Sequence, residues 1–196
     1  MGDYFSFEVE PSAETVIEEL GVLRFTIRSR LDNRLFETFH IDVGIGVPVI
    51  GAIEYLETTD LLTFAEIEPT CVPCYPITQQ IAEKPHAYTQ TYGSGASSRV
   101  KDFVELLLLA ELGEFSSREL GKAIAATFEN VGKMEVPEKI YAPPRTWLQT
   151  YRRMSREVGL EVSFDEAYIM LQQFLDPVLA GSLDEAKWNP SKWGWE

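Results

Sequence analysis

The chain has 196 residues, a net charge of −14 and a pI near 4.6. So acidic a surface repels phosphate backbones over most of its area, which excludes broad, salt-driven nucleic-acid binding. Hydrophobic residues at 45% and charged residues at 24% suit one large globular domain or two small ones, no apolar run reaches the ~18 residues of a membrane helix, and the opening MGDYFSFEVEPSAE lacks a signal-peptide core, so the expected location is the cytoplasm.

Residues 4–9 alternate aromatic and polar side chains and predict a strand. In 22–31, Leu23, Phe25 and Ile27 alternate with Arg24, Thr26 and Arg28, the pattern of a half-buried strand with a basic outer face. Asp32-Asn33 supplies a tight turn, and 34–46 alternates again until Gly44 and Gly46, so the two segments predict an antiparallel hairpin. A short strand is expected at 59–67, before a turn-rich stretch from Pro69 to Pro76. That stretch holds both cysteines, Cys71 and Cys74, and only His40 and His86 could complete a zinc set. The pair reads as two reduced loop thiols.

After Thr78, a plausible helix cap, the chain turns helical. Residues 97–112 follow Ser97 and Ser98 with an apolar stripe from Val100 to Leu108. Residues 116–132 open with a Ser116/Glu119 capping box and stop at Gly132. Two further amphipathic helices are expected at 143–159 and 163–181, and Trp188, Trp193 and Trp195 read as core closure. Strands followed by helices predict an α+β protein: a partial antiparallel or mixed sheet over 1–77 and a helical subdomain over 78–196.

Few side chains suggest chemistry. Asp42 stands near a strand end beside glycines, where a carboxylate suits a metal or substrate or is merely a solvated edge residue. Lys84 shares a helix face with Ile81 and Tyr88 and reaches across a pocket or into solvent. Arg99 and Lys101 fall in the first turn of a helix, where amide donors favour anions, with Asp102 and Glu105 on one face. The spacing of Lys101 and Glu105 also fits plain helix support. His86 reads as a packed histidine.

In order, NRLFETFHIDVGIG, LLTFAEI, PITQQIAEKPHAYTQ and SSRVKDFVELLLLAEL, with the later FDEAYIMLQQFLDPVL and WNPSKWGW, resemble the AbiEii/AbiGii-type nucleotidyltransferase toxins. The resemblance runs from about Phe5 to Trp195. It implies a polymerase-β-like nucleotidyltransferase fold with a helical carboxy-terminal subdomain, transferring a nucleotide from an NTP to a tRNA or protein acceptor with Mg2+. It matches Asp42 to the third metal carboxylate, Lys84 to a lysine near the triphosphate, and Lys101-Asp102, with Arg99 ahead, to the last motif. The implied catalytic residues are Asp42, Lys84 and Asp102, with Lys84, Arg99 and Lys101 on the nucleotide and Asp42 on the metal. These motif residues are expected to gather at one cleft with a Lys–Asp contact. Three departures stand out. The family's Gly-Gly or Gly-Ser turn followed by an Asp-x-Asp/Glu motif, expected ahead of Phe5, has no counterpart in this sequence; Pro85 follows Lys84; and Glu105 stands where many members have aspartate. With one metal carboxylate of three, the chain is expected to be catalytically incomplete by itself. The alternative is a non-catalytic module that dimerises or binds a partner protein. An antitoxin and a second copy of the chain are the expected protein partners, and no membrane is expected.

Overall fold

Two stretches of period-two alternation, separated by Asp32-Asn33, fold back on each other as expected. The computed structural model describes residues 4–17, 22–44, 49–61, 63–89, 99–130 and 134–196, which fall into two units, Met1–Pro48 and Val49–Glu196. In the first, β1 (Phe5–Ile17), β2 (Val22–Leu31) and β3 (Arg34–Gly44) form an antiparallel sheet in that order. Asp32 and Asn33 take φ of +47° and +63°, the left-handed pair of a type I′ hairpin that these two residue types tolerate. The register puts Val9, Ile27 and Phe39 in one row and Phe25 and Ile41 in the next, so one face is apolar. The basic outer face expected of β2 is there, but neutralised. Arg28 pairs with Glu10 at 2.6 Å, Arg30 with Glu8 at 2.9 Å, and Arg24 with Asp42 at 2.6 Å.

The second unit opens with a hairpin of β4 (Glu54–Glu57) and β5 (Cys71–Cys74). Two expectations are corrected here. The strand expected at 59–67 is absent: Thr63–Ala65 make a 3-10 turn, Glu66 sits at φ +58° and its N–H donates to the Thr63 carbonyl, so the chain bends where a strand must run straight. The thiols are on a strand rather than in a loop. Cys71 and Cys74 are free, and their odd spacing sends the side chains to opposite faces, so no disulfide joins them. Pro73 is tolerated because a two-stranded ribbon consists of edges.

Five helices follow: α1 (Ile77–Thr89), α2 (Arg99–Leu112), α3 (Ser117–Asn130), α4 (Leu148–Glu157) and α5 (Phe164–Leu179). Thr78 is not the cap of α1. The helix begins one residue earlier, with the Pro76 carbonyl taking the N–H groups of Gln79 and Gln80. Pro85 therefore lies well beyond the first turn, where it removes the hydrogen bond that would run to the Ile81 carbonyl. Ser97, Ser98 and Gly132, proposed as helix ends, lie outside the described residues. The Ser116 hydroxyl accepts the Glu119 N–H at 3.5 Å, and α5 starts with a full capping box of Ser163 and Glu166. Among the described residues no helix is long and apolar enough to cross a membrane.

The helical core is built on Ile81, Phe103, Leu107, Leu120, Phe128 and Phe174 and closed by the tail. There β6 (Trp188–Asn189) and β7 (Gly194–Trp195) pair, and each of three indoles donates to a helix carbonyl: Trp188 to Ala110 at 2.8 Å, Trp193 to Met170 at 3.0 Å, Trp195 to Phe174 at 2.9 Å. The tail thus closes the core, as its composition suggested, though as a short hairpin rather than a helix.

Tyrosines brace this core through their hydroxyls. Tyr88 donates to the Tyr141 carbonyl, Tyr151 to Val162 and Tyr168 to Ile140, while Tyr75 donates to the Glu83 carboxylate. Burial above all, then nearby charge, pushes all four phenols up, Tyr151 to about 12. Because these folded values exceed the ~10 of an unfolded tyrosine, their contribution to stability is complete below that pH and is lost as pH rises through the folded values. In an alkaline titration the tyrosinate absorbance of these four residues is expected to rise together with loss of helical circular dichroism. Full tyrosine ionisation with the helices intact contradicts this packing.

Candidate functional site

The apolar stripe of α2, carried by Val100, Phe103, Val104 and Leu107, turns that side into the core. The other side is then fixed by helical spacing: Arg99, Asp102 and Glu105 recur every three residues along one row. Ile81 and Ala82, fully buried, seat α1 against the same core, and Lys84 emerges one turn beyond Ile81 onto the α2 row.

The groups meet there. Lys84 Nζ lies 2.5 Å from Glu105 Oε2 and 3.8 Å from Asp102 Oδ1. Arg99 Nη1 donates to Asp102 Oδ2 at 2.9 Å, and Lys101 Nζ lies 3.4 Å from Glu105 Oε1. The result is an alternating row, Lys101–Glu105–Lys84–Asp102–Arg99, with three cations and two carboxylates. The Lys84 and Asp102 side chains are each only 17% exposed, so their charges interact more strongly than surface pairs do. Burial alone raises the Glu105 carboxyl, but hydrogen bonding and charge from Lys84, helped by Lys101, outweigh it and hold the group below its usual value. Glu105 stays ionised at neutral pH, and Lys84 is pinned between the Glu105 and Asp102 carboxylates.

The neighbours of Lys84 serve packing. The Glu83 carboxylate accepts from the Tyr75 hydroxyl at 2.6 Å and from Gln79 at 3.3 Å, which ties β5 to α1. His86 is buried edge-on against Phe128 with ring centres 5.0 Å apart.

Four of the five sequence candidates thus share one cluster, including the expected Lys–Asp contact. Asp42 belongs to the other unit. It stands on β3 directly across from Arg24, which takes both its oxygens, Nε to Oδ1 at 2.6 Å and Nη2 to Oδ2 at 2.7 Å. The hydrogen bonds from Arg24 above all hold the Asp42 carboxyl below the usual range; burial opposes them, and the charges of Arg24 and His40 add to the lowering. Divalent cations need several oxygens at once. No group of three or more His, Cys, Asp or Glu side chains able to hold a cation gathers among the described residues. The donors described here therefore do not fit a two-cation centre, and no step is assigned to one.

Glu105 is the partner that residue patterns undervalued. Its spacing from Lys101 fits ordinary helix support, and only the three-residue row shared with Arg99 and Asp102, opposite the core stripe, marks it as part of the cluster.

No curated protein matches the chain. A family model described as nucleotidyl transferase AbiEii toxin, type IV toxin–antitoxin system, matches residues 1–189. That match covers nearly all of the 196 residues and takes in the motif segments on which the sequence resemblance rested up to the start of WNPSKWGW, and the chain belongs to the AbiEii nucleotidyl transferase toxin family.

Proposed function

We propose that the α1–α2 cluster binds the triphosphate of an NTP whose nucleotidyl group is passed to an RNA or protein acceptor. The observation that carries this reading is the row of Lys84, Arg99 and Lys101 against Asp102 and Glu105, three cations to two carboxylates among the described residues, within a chain of net charge −14. Lysine offers the phosphates a compact charge and arginine a planar fork of donors. Asp102 orients Lys84 and Arg99 and so acts through them. In the transfer itself the acceptor hydroxyl gives up its proton to water as its oxygen bonds to the α-phosphorus, the bond from that phosphorus to the α–β bridging oxygen breaks, and pyrophosphate leaves with its added charge facing these cations. Asp42 enters such chemistry only by exchanging Arg24 for a cation. The family's type IV toxin–antitoxin assignment supports an antitoxin as the cognate partner and the cytoplasm as the site of action.

A second reading, a module that dimerises or binds another protein, is favoured by the sheet: Phe39, Ile41 and Val43 on its apolar face are 41, 46 and 41% exposed. The test is titration of the whole chain with NTPs, followed by incubation with labelled NTP, magnesium and total tRNA. Expected are NTP binding that weakens as salt rises and that Lys84→Ala reduces, with no labelling of RNA or protein by this chain alone, because its described donors do not fit a two-cation centre; robust labelling that Asp42→Ala abolishes overturns that expectation. Absence of NTP binding at low salt, with concentration-dependent self-association in light scattering, replaces this reading with the second.

A further inference from the structure

The stretch from Arg145 to Arg156 holds four of the chain's ten arginines and no acidic residue, in a protein where acids outnumber bases 31 to 17. Arg145, Arg152 and Arg156 line a groove of about 390 Å3 between α4 and the start of α5. Its floor is the buried Tyr151, Leu160 and Phe164. Two acids stand on the walls, Glu161 and Asp165, and Asp165 is engaged with Arg145 at 2.7 Å. Arg153 reaches Glu157 at 3.9 Å. Arg156 Nε donates to the Arg152 carbonyl, and among the described residues neither Arg152 nor Arg156 has a carboxylate within ion-pair distance. One helical turn apart, these two guanidinium groups are presented to solvent along one wall.

We propose that this groove holds the phosphodiester backbone of the RNA acceptor. The inference rests on the reading of the chain as a nucleotidyltransferase acting on RNA. A chain of net charge −14 repels RNA at long range, so contact requires a local concentration of cations. Guanidinium forks match phosphate oxygens in pairs, and such contacts fix position without reading sequence. The apolar floor suits the sugar and base faces that accompany a backbone, which a free phosphate lacks. The groove residues are separate from the α1–α2 cluster, so acceptor and NTP affinities are separable by substitution.

The test compares full-length wild type, the double variant Arg152→Glu/Arg156→Glu, and the control Arg118→Glu/Lys122→Glu on α3, which changes net charge equally. All these positions are exposed, and circular dichroism checks that the fold is kept. Fluorescence anisotropy follows a labelled single-stranded RNA and tRNA across a salt series, with inorganic phosphate, ATP and poly-glutamate as competitors. The groove variant is expected to bind RNA at least about tenfold more weakly. The slope of log K against log salt is expected to be shallower by about 1.4, the value for two single-strand phosphate contacts. The control should stay within about twofold of wild type, and NTP affinity should be unchanged in both. No RNA binding by wild type, equal losses in groove and control variants, or an unaffected groove variant overturns the proposal. So does displacement of RNA by inorganic phosphate or ATP at equal charge, which means a free-anion site, or by poly-glutamate as readily as by RNA, which means an acidic protein partner. If RNA binding depends on the groove while NTP binding fails, the groove stands and the nucleotidyltransferase reading falls. NTP binding with RNA affinity independent of the groove has the reverse meaning.

Discussion

Trp188→Ala is expected to destabilise the helical unit by about 3–5 kcal/mol, the range for removing a large aromatic side chain from a core. The residue has no exposed surface and stands at the centre of the ring contacts with Phe174, Trp193 and Trp195. The loss includes a hydrogen-bonding component, because the Ala110 carbonyl, buried in the middle of the core, loses the indole N–H. Domains of this kind are stable by about 5–15 kcal/mol in total, so the variant falls close to unfolding at ambient temperature. Trp188→Phe separates the two contributions: it keeps most of the ring contact and forfeits the hydrogen bond, for an expected cost of about 1–3 kcal/mol. Urea denaturation followed by circular dichroism measures both. A loss below about 1 kcal/mol for Trp188→Ala shows that the hairpin is an accessory to the core rather than its closure.

The second large effect belongs to Lys84. Lys84→Ala is expected to weaken NTP binding by about tenfold to a hundredfold, the scale of one hydrogen bond to a charged group. It also leaves Asp102 and Glu105 facing each other without their shared cation. The Glu105 carboxyl, now held down mainly by Lys84, should move up. The direction of the pH effect follows. A carboxyl whose folded value is depressed adds stability above its unfolded value near 4.3, and that stability is lost as pH falls through the folded value. Wild type should therefore show an acid-side loss of thermal stability that Lys84→Ala flattens. Lys84→Arg retains charge and should recover part of the NTP affinity. Calorimetric NTP titration beside a melting series at pH 3–6 tells the roles apart: a fall in stability with unchanged NTP affinity makes Lys84 purely structural.

The hairpin of 22–44 was legible because period-two alternation persists over two long segments and a left-handed-tolerant Asp-Asn pair sits between them. The segment 59–67 misled because a short apolar run carries no decisive period; Leu61 and Phe64, exposed at 70 and 87%, have no strand to pair with. Conversely, CVPC looked like a turn because proline and cysteine are poor strand markers, yet a two-stranded ribbon supplies the edge on which proline is harmless. Helix existence was readable from apolar stripes, while the start of α1 was not, since the Pro76 carbonyl, rather than the Thr78 side chain, takes the first amides. In the site, a Lys–Asp contact was expected among Asp42, Lys84, Lys101 and Asp102, and Lys84 lies 3.8 Å from Asp102. The tighter Lys84–Glu105 contact was hidden, because a pattern within one helix cannot report which residue of another helix it faces. The arginines of 145–156 were visible in composition, but the groove they line depends on the turn into α5, which no local pattern specifies.

The bond from Trp188 to the Ala110 carbonyl spans 78 residues of sequence. The tail's other ties to this region span almost as far, Trp188 to Phe115 and Ala186 to Ser117, whereas the helices themselves are local and elongate in nanoseconds per residue. Joining Trp188 to α2 closes a far longer loop, and its entropy must be surrendered before any contact at the far end compensates. Helical signal and indole burial therefore belong to different moments of folding. Without Trp188 in place, Phe174 loses a ring contact and the Ala110 carbonyl its donor, so a residue that forms no part of any helix completes the burial of the helical core.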